Sequence, residues 1–276
     1  MGIEKSQSPT EFLDFERAGW GANIAGYDDA FGPVTRQTVR PMLDAANVRA
    51  GMRLLDVCCG PGMLAHGAIA RGASAVGVDF PDVVRLAKKL VPAGDFQPGD
   101  AQALIFPDNA FDAVVCGYGI IHLPEPEKAL REMFRVLRPG GRVAVSVWDS
   151  NTPNNGFSLV YAAVRAHGRM DVGLPHGPDY FQFSTHEKML AGLSEIGFKN
   201  AESQFFDQRW HVETVAQVLD AILNGTVRAR AVMAGQSEES MVHIRQFYEE
   251  TLNGMKNPAG GFDVPLPALI GSGAKP

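Results

Sequence analysis

The 276-residue chain lacks the features that mark several large protein classes. It has three cysteines, too few for a disulfide framework, and its first residues, MGIEKSQSPT, lack the apolar core of a secretory signal. No apolar run approaches the roughly 18 residues of a membrane-spanning helix. Lysine and arginine number 25 against 31 acidic residues, and the resulting net charge of −6 does not suit a phosphate backbone. These absences predict a cytoplasmic protein with neither a nucleic-acid nor a membrane partner.

Several catalytic motifs are also missing. The chain contains no G-x-S-x-G, no H-E-x-x-H, no phosphate-loop lysine and no Tyr-x-x-x-Lys pair. Tyr161 with Arg165 comes nearest to the last pattern, but arginine is the wrong base. The sequence therefore shows no sign of a covalent nucleophile, and the missing tyrosine–lysine pair disfavours a nicotinamide oxidoreductase.

Short apolar runs alternate with helical patterns between residues 53 and 148. This alternation is typical of βα units that build a parallel sheet. The predicted strands are residues 53–57, 75–79, a run just before Gly99, 111–118 and 142–148. The predicted helices between them are residues 62–71, 81–90 and 126–138.

The rest of the chain has a different character. Residues 9–48 are predicted to be mainly helical, and residues 149–183 combine one helix, 155–167, with a loop rich in glycine and proline. Further helices are predicted at residues 185–196, 212–223 and 238–252. Strands are predicted at residues 201–210 and 261–271.

A glycine-rich turn follows the first predicted strand. The pattern Gly60-x-Gly62-x-x-Ala65 lies between a strand and a helix, where small residues let a ligand approach exposed backbone N–H groups. Asp79 closes the next strand, where it can accept hydrogen bonds from a ribose diol. On this pattern alone, the ligand is either a dinucleotide or another compound that contains adenosine.

Five segments in fixed order carry a more specific signal. They are Leu54-Leu55-Asp56-Val57-Cys58-Cys59-Gly60-Pro61-Gly62, Asp79, Gly99-Asp100-Ala101, Phe111-Asp112 and Leu137-Arg138-Pro139-Gly140-Gly141. In this order the chain resembles the class I S-adenosylmethionine-dependent methyltransferases, especially the branch similar to ubiquinone and menaquinone C-methyltransferases. The resemblance is close over residues 53–148 and holds only in outline elsewhere. Cys59 departs from the small or acidic residue that the family usually has before Gly60.

The resemblance implies the overall architecture. The fold class is α/β, with a Rossmann-like, doubly wound, seven-stranded and mostly parallel sheet whose last strand is antiparallel and comes from residues 261–271. Residues 1–48 would form an N-terminal helical lid, and residues 49–276 the methyltransferase domain. Helical insertions at about 149–183 and 212–258 would help to cover the open strand ends. No feature of the sequence predicts the oligomeric state.

The resemblance also implies which residues bind the cofactor. The backbone at Cys58, Gly60 and Gly62 would hold the methionine part of S-adenosylmethionine. Asp79 would bind the ribose hydroxyls and Phe80 would lie against the adenine. The remaining predicted cofactor-binding residues are Asp100 and Ala101 at the adenine edge, and Cys116 and Tyr118 near the sulfonium.

Two further residues are candidates for catalysis. His122 follows the fourth strand at the predicted site edge, so it is a base, a residue that orients the acceptor, or a packed histidine. Tyr27 lies in the N-terminal segment, where its aromatic ring either contacts the cofactor or acceptor or packs on the core. Asp56, inside an apolar strand, is predicted to brace the glycine turn. Cys58 and Cys59 have no second cysteine pair nearby, which favours packed thiols over a metal site.

The combined interpretation is an S-adenosylmethionine-dependent methyltransferase that acts on a small, partly apolar organic acceptor. Methyl transfer from a sulfonium needs alignment, exclusion of water and sometimes a base, and the chain's lack of a nucleophile motif agrees with this. Two alternatives remain open at this point. One is an NAD(P)-dependent oxidoreductase, and the other is a protein or cyclase of the same fold that binds S-adenosylmethionine without transferring its methyl group.

Overall fold

A computed structural model describes residues 9–276. The first eight residues, which belong to the predicted 1–48 lid and hold most of the stretch searched for a signal, lie outside the described part. The chain begins with helix α1 (Pro9–Thr35), a short 3-10 turn (Arg36–Thr38) and helix α2 (Val39–Ala45). Within residues 9–276 no helix combines the length and apolar character needed to cross a membrane.

The βα units follow α2, as the periodicity predicts. They are β1 (Arg53–Val57), α3 (Met63–Ala70), β2 (Ser74–Asp79), α4 (Pro81–Leu90), β3 (Asp95–Pro98), β4 (Phe111–Gly117), α5 (Pro126–Val136) and β5 (Leu137–Trp148). A 3-10 turn (Ile120–His122) lies between β4 and α5. Helix α5 ends before the predicted residue 138, because Leu137 already pairs with Phe111 and begins β5.

The second half of the chain adds five helices and four strands. They are α6 (Gly156–His167), α7 (His186–Ile196), β6 (Lys199–Phe206), β7 (Arg209–Val212), α8 (Val215–Gly225), α9 (Arg228–Ala234), α10 (Glu238–Asn253), β8 (Phe262–Pro265) and β9 (Ala268–Ala274). Side-chain caps fix the starts of four of these helices: Asn155, Thr185, Thr214 and Ser237 each accept a backbone N–H from the first turn. Helix α9 was not predicted from the sequence.

Seven strands form one sheet in the order β3-β2-β1-β4-β5-β9-β6. The pairs among β1 to β5 are parallel, whereas β9 runs antiparallel to both β5 and β6. The predicted seven-stranded, mostly parallel sheet with an antiparallel last strand is therefore confirmed. Because β1, β2 and β4 are parallel neighbours, their carboxyl ends meet at one edge of the sheet.

Two predicted strands are wrong in extent. The segment 201–210 is two strands, since β6 ends at Phe206 and β7 pairs with β8 in a separate two-stranded sheet. The segment 261–271 is likewise divided between β8 and β9. Pro265 and Pro267 lie at this division and have no N–H to donate, so the chain cannot continue one ladder through them.

Helix α1 lies against α8 at glycines. A Cβ atom on Gly26 would approach the carbonyl oxygen of Asn224 to 2.3 Å, and one on Gly225 would approach the carbonyl oxygen of Gly26 to 3.1 Å. Only glycine permits this separation of the two backbones. The contact fixes α1 beside the chain that leads from α8 into α9.

Candidate active site

A large pocket lies at the carboxyl ends of β1, β2 and β4. About 1400 Å³ of space without protein atoms lies between its walls, and this figure includes open solvent. Its floor is formed by the turns after these strands, and its other walls come from α1, α6, the chain before α7, and residues 225–229. The pocket therefore joins the predicted cofactor-binding edge to segments that are distant in sequence.

The turn after β1 has a left-handed backbone at three positions. The φ angles are 55° at Cys58, 52° at Gly60 and 87° at Gly62. A positive φ is uncommon for a residue with a side chain, so Cys58 is held there by its surroundings. Cys58 and Gly60 line the pocket. Gly62 does not line it; this glycine starts α3, where a Cβ would come within 2.9 Å of the Phe96 ring.

Asp79 holds the glycine turn from the end of β2. Its Oδ2 accepts a hydrogen bond from the Gly60 backbone N–H at 2.9 Å, and its Oδ1 accepts one from the Phe80 N–H at 2.7 Å. Burial raises the pKa of Asp79 to about 6, although both hydrogen bonds act to lower it. The carboxylate lines the pocket, so Asp79 combines a structural role with one at the site.

Asp56 has one carboxylate oxygen without a partner. Its Oδ2 accepts the Ala65 N–H at 3.1 Å, so Asp56 braces the first turn of α3, directly after the glycine turn that it was predicted to brace. Its Oδ1 is buried and has no hydrogen-bond partner in the described residues. Burial raises the pKa of Asp56 to about 8, and the residue lines the pocket. A buried oxygen of this kind is expected to find a hydrogen-bond partner in a bound ligand.

The third predicted group lies after β3 and at the start of α4. Asp100 is exposed and lines the pocket, with its Oδ1 accepting the Gln102 N–H at 2.8 Å. Ala101 and Phe80 line the same part of the pocket. The guanidinium carbon of Arg17, on α1, lies 5.5 Å from the centroid of the Phe80 ring. Helix α1 therefore reaches the predicted adenine side.

Of the two residues predicted to lie near the sulfonium at the end of β4, Tyr118 lines the pocket and Cys116 does not. Cys116 is fully buried in the core and does not line the pocket. Hydrogen bonding to Cys116 and burial raise the pKa of the Cys58 thiol well above its ordinary value, so the Cys58 thiol is neutral. The Cys116 side chain is therefore not part of the site. The residues that follow it, Gly117, Tyr118 and Gly119, line the pocket instead.

Tyr118 lines the pocket with a backbone φ of 60°. Its ring stacks on Trp148 with a centroid separation of 4.1 Å. Gln208 Nε2 lies 2.9 Å from the Tyr118 hydroxyl, which also lies 3.2 Å from Thr38 Oγ1. These contacts fix the ring against the chain that follows β6.

His122 forms the clearest titratable pair at the site. Its Nδ1 lies 3.0 Å from Oε2 of Glu16, and the Trp20 indole N–H donates to the same oxygen at 3.1 Å. The Glu16 side chain is fully buried and does not line the pocket, whereas the His122 side chain is 19% exposed and does. Glu16 therefore lies behind His122. Sequence reasoning missed Glu16, because its only local signal is the four-residue spacing to Trp20.

Aromatic side chains enclose the part of the pocket beyond His122. Tyr27 lies here, with its ring 5.3 Å from the Trp20 ring, and burial raises the pKa of Tyr27 well above its ordinary value. Tyr27 is thus a protonated phenol at neutral pH and a poor base. The other aromatic residues of this half are Trp20, Trp148, Phe157, Tyr161 and Tyr180.

Comparison with known proteins agrees with this arrangement. Residues 55–145 match the model of a methyltransferase domain family. A ubiquinone/menaquinone biosynthesis C-methyltransferase of Roseobacter denitrificans is 31% identical over 184 residues, which cover 58% of this chain and 72% of that protein. The chain belongs to the class I S-adenosylmethionine-dependent methyltransferases. Within that family it falls in the ubiquinone and menaquinone C-methyltransferase branch, as the motifs predicted, and the family does not support the oxidoreductase alternative.

Other relatives match over less of their length. A demethylmenaquinone methyltransferase of Renibacterium salmoninarum is 40% identical over 128 residues, which are 46% of this chain and 54% of that protein. The chain thus spans about half the length of the demethylmenaquinone methyltransferases that it matches.

Solved structures support the fold. The YcgJ protein of Bacillus subtilis has a TM-score of 0.57 at 22% identity, covering 87% of this chain and 98% of that one. A Haemonchus contortus phosphoethanolamine N-methyltransferase was solved with phosphomonomethylethanolamine and S-adenosylhomocysteine. It has a TM-score of 0.58 at 18% identity, and the match covers 96% of this chain and 60% of that one. At these identities the likeness extends to the fold alone.

S-adenosylmethionine is the cofactor of this chain, and the pocket fits it chemically. The cofactor carries an ammonium and two ribose hydroxyls, all of them donors. Asp56 Oδ1 is a buried acceptor without a partner, and Asp79 and Asp100 supply further carboxylate oxygens at the same edge. A Cβ built on Gly60 meets no atom within 4 Å, so the space beside this turn is open to a ligand.

Proposed function

We propose that the chain transfers a methyl group from S-adenosylmethionine to a small, partly apolar organic acceptor that loses a proton on methylation. One observation carries this proposal. A single pocket joins the acidic, glycine-turn edge to an aromatic half that contains His122, and the buried Glu16 lies behind His122. A cofactor and an acceptor can therefore occupy adjoining parts of one enclosed space.

Several residues would hold the cofactor: the turn at Cys58 and Gly60, Asp56, Asp79, Phe80, Asp100 and Ala101. When bound, S-adenosylmethionine supplies an electrophilic methyl group on a sulfonium. Gly117 to Gly119 would form the wall between the two halves of the pocket. Fixing both reactants against rigid strand ends provides the alignment that an in-line displacement needs.

His122 is proposed as the group that receives the proton. The Glu16 carboxylate accepts the Nδ1–H and so selects the tautomer that leaves Nε2 free to act as a base. An imidazolium formed in the reaction would be stabilised by the same carboxylate. Glu16 is thus a positioning residue, whereas His122 would contact the acceptor.

The aromatic half suits an acceptor with a ring. Rings of Trp20, Tyr27 and Phe157 supply apolar walls that exclude water, and a flat acceptor can lie against them. The named relatives are methyltransferases of quinone biosynthesis, which supports a hydroxyl-bearing ring of the quinol type as acceptor. A hydroxyl or an activated ring carbon of such an acceptor must lose a proton.

The cytoplasmic location and the absence of nucleic-acid and membrane partners stay predictions.

The test is to incubate the purified protein with S-adenosylmethionine and a panel of hydroxylated aromatic compounds, and to quantify S-adenosylhomocysteine. Its formation only when protein and acceptor are both present is the expected result. Tight cofactor binding with no product from any acceptor would favour the non-transferring alternative. Tight NADH binding without binding of S-adenosylmethionine would contradict the proposal.

A further inference from the structure

The aromatic half of the pocket contains one basic side chain that has no acidic partner. Among the pocket-lining residues within 9–276, Arg228 at the start of α9 is the only arginine or lysine. One guanidinium nitrogen donates to the Pro175 carbonyl at 3.0 Å, and the guanidinium carbon lies 5.7 Å from the Phe12 ring centroid. No carboxylate in this part of the chain lies within 4 Å of it. Most of its five N–H donors therefore have no hydrogen-bond acceptor among residues 9–276.

Two tyrosine hydroxyls in the same half are also unpartnered. Tyr161, on α6, and Tyr180, before α7, both line the pocket. Neither hydroxyl makes a hydrogen bond to any residue in the range 9–276. Burial raises the pKa of both phenols, the charge of Glu16 raises it further, and the charge of Arg228 lowers it. Arg228 lines the same pocket as both tyrosines.

Glu16 is the acid whose charge acts on both tyrosines. Its Oε2 atom is occupied by His122 and Trp20, and its Oε1 is buried without a hydrogen-bond partner in residues 9–276, but Glu16 does not line the pocket. Arg228, Tyr161 and Tyr180 all line the pocket, so an acceptor in its aromatic half can reach these donors. A guanidinium and two phenol O–H groups are the donor set that binds a carboxylate or phosphate well, whereas a neutral ring would leave them unsatisfied.

We propose that Arg228, Tyr161 and Tyr180 bind an anionic oxygen group, a carboxylate or a phosphate ester, carried by the acceptor. This inference rests on the proposed function, because it assigns the aromatic half to the acceptor. The Tyr180 ring lies 5.9 Å from the His122 ring, so an acceptor held at this site extends directly to the proposed base. The anion site would fix which end of the acceptor faces the cofactor.

Binding of matched aromatic probes tests the proposal. Protein saturated with S-adenosylhomocysteine is titrated by calorimetry with phenylacetate, 4-hydroxyphenylacetate and phenyl phosphate. The neutral matches are phenylacetamide, 4-hydroxyphenylacetamide and phenol. We expect at least one anion to bind about 10-fold or more tightly than its neutral match, the scale of a charge-assisted hydrogen bond. The carboxylate and phosphate arms show which group the site prefers.

Variants test whether these residues cause the preference for the anion over its neutral match. Arg228→Met should reduce this preference to within about twofold, and Tyr161→Phe and Tyr180→Phe should each weaken it by about threefold. Arg245→Met, on the exposed face of α10, is the matched control and should retain the full preference for the anion. Unchanged S-adenosylhomocysteine affinity in each variant shows that the fold is intact.

Two results would overturn the proposal. One is that no anion binds more tightly than its neutral match, and the other is that Arg228→Met keeps the full preference. The outcome is separable from that of the proposed function. Anion binding without methyl transfer to any acceptor would support the anion site and contradict the proposed function. Methyl transfer without a preference for anions would support the proposed function and contradict the anion site.

Discussion

Oε2 of Glu16 lies 3.0 Å from Nδ1 of His122, although 106 residues separate the two along the chain. Glu16 comes from α1, and His122 from the turn after β4. The orientation of the proposed base therefore depends on α1 lying over the strand ends. If α1 moves away, His122 loses both its carboxylate partner and the Trp20 ring, whose centroid is 4.9 Å from its own.

Glu16→Gln should lower turnover by about 10-fold or more while S-adenosylhomocysteine affinity stays within about twofold. An amide still accepts the hydrogen bond but does not stabilise an imidazolium, so the loss should lie in kcat, with the KM for the acceptor within about twofold. Glu16→Asp should restore part of kcat. A loss that lies mainly in KM would indicate a purely structural role for Glu16.

His122→Asn should lower turnover by roughly 10²-fold or more with a hydroxyl acceptor, because no imidazole then receives the proton. His66→Asn, at an exposed position on α3, is the control. Steady-state kinetics over pH 5 to 9 provide the measurement. Equal activity with an established hydroxyl acceptor would exclude His122 as the base.

Asp79→Ala should weaken cofactor binding by roughly 1 to 3 kcal/mol, the scale of charge-assisted hydrogen bonds. The loss includes the acceptor for the Gly60 N–H, so the glycine turn loosens as well. Asp95→Asn, at the exposed start of β3, should change nothing. Calorimetric titration with S-adenosylhomocysteine decides this, and an unchanged dissociation constant would remove Asp79 from the site.

Asp56 should make the stability of the free protein depend on pH. Its folded pKa of about 8 lies above its ordinary value of 3.8, so the stability contribution present at low pH is lost as pH rises toward 8. Asp79, at about 6, acts in the same direction over a lower window. Between pH 6 and 8 the Tm of the ligand-free protein should therefore fall, and Asp56→Asn should flatten that fall. A slope that the substitution leaves unchanged would show that Asp56 is ionised throughout.

Binding of S-adenosylhomocysteine should slow hydrogen exchange in α1 and in residues 225–229, since both line the pocket. Gly26→Ala tests the cause, because its Cβ would collide with the Asn224 carbonyl and push α1 away from α8. In that variant the protection should weaken. Protection confined to the glycine turn and the strand ends would contradict the proposal that these segments form a lid.

Much of the fold could be predicted because its signals are local. The apolar strands between residues 53 and 148 lie next to their turns and helices in the chain, and parallel βα units permit few arrangements. The strands at 201–210 and 261–271 were harder. Their alternation indicates extended chain but not which partner it pairs with, and the structure divides each between two sheets.

Sequence alone determined the family, the glycine turn and the placement of Asp79 and Asp100 at one sheet edge, because each follows from residues close together in the chain. Only the tertiary structure decided that Glu16 meets His122 and that Arg228, Tyr161 and Tyr180 line one pocket. Those contacts depend on how α1, α6 and α9 are rotated and seated over the strand ends. Helical periodicity shows which face of a helix is buried, but not which residue of a distant segment lies opposite it.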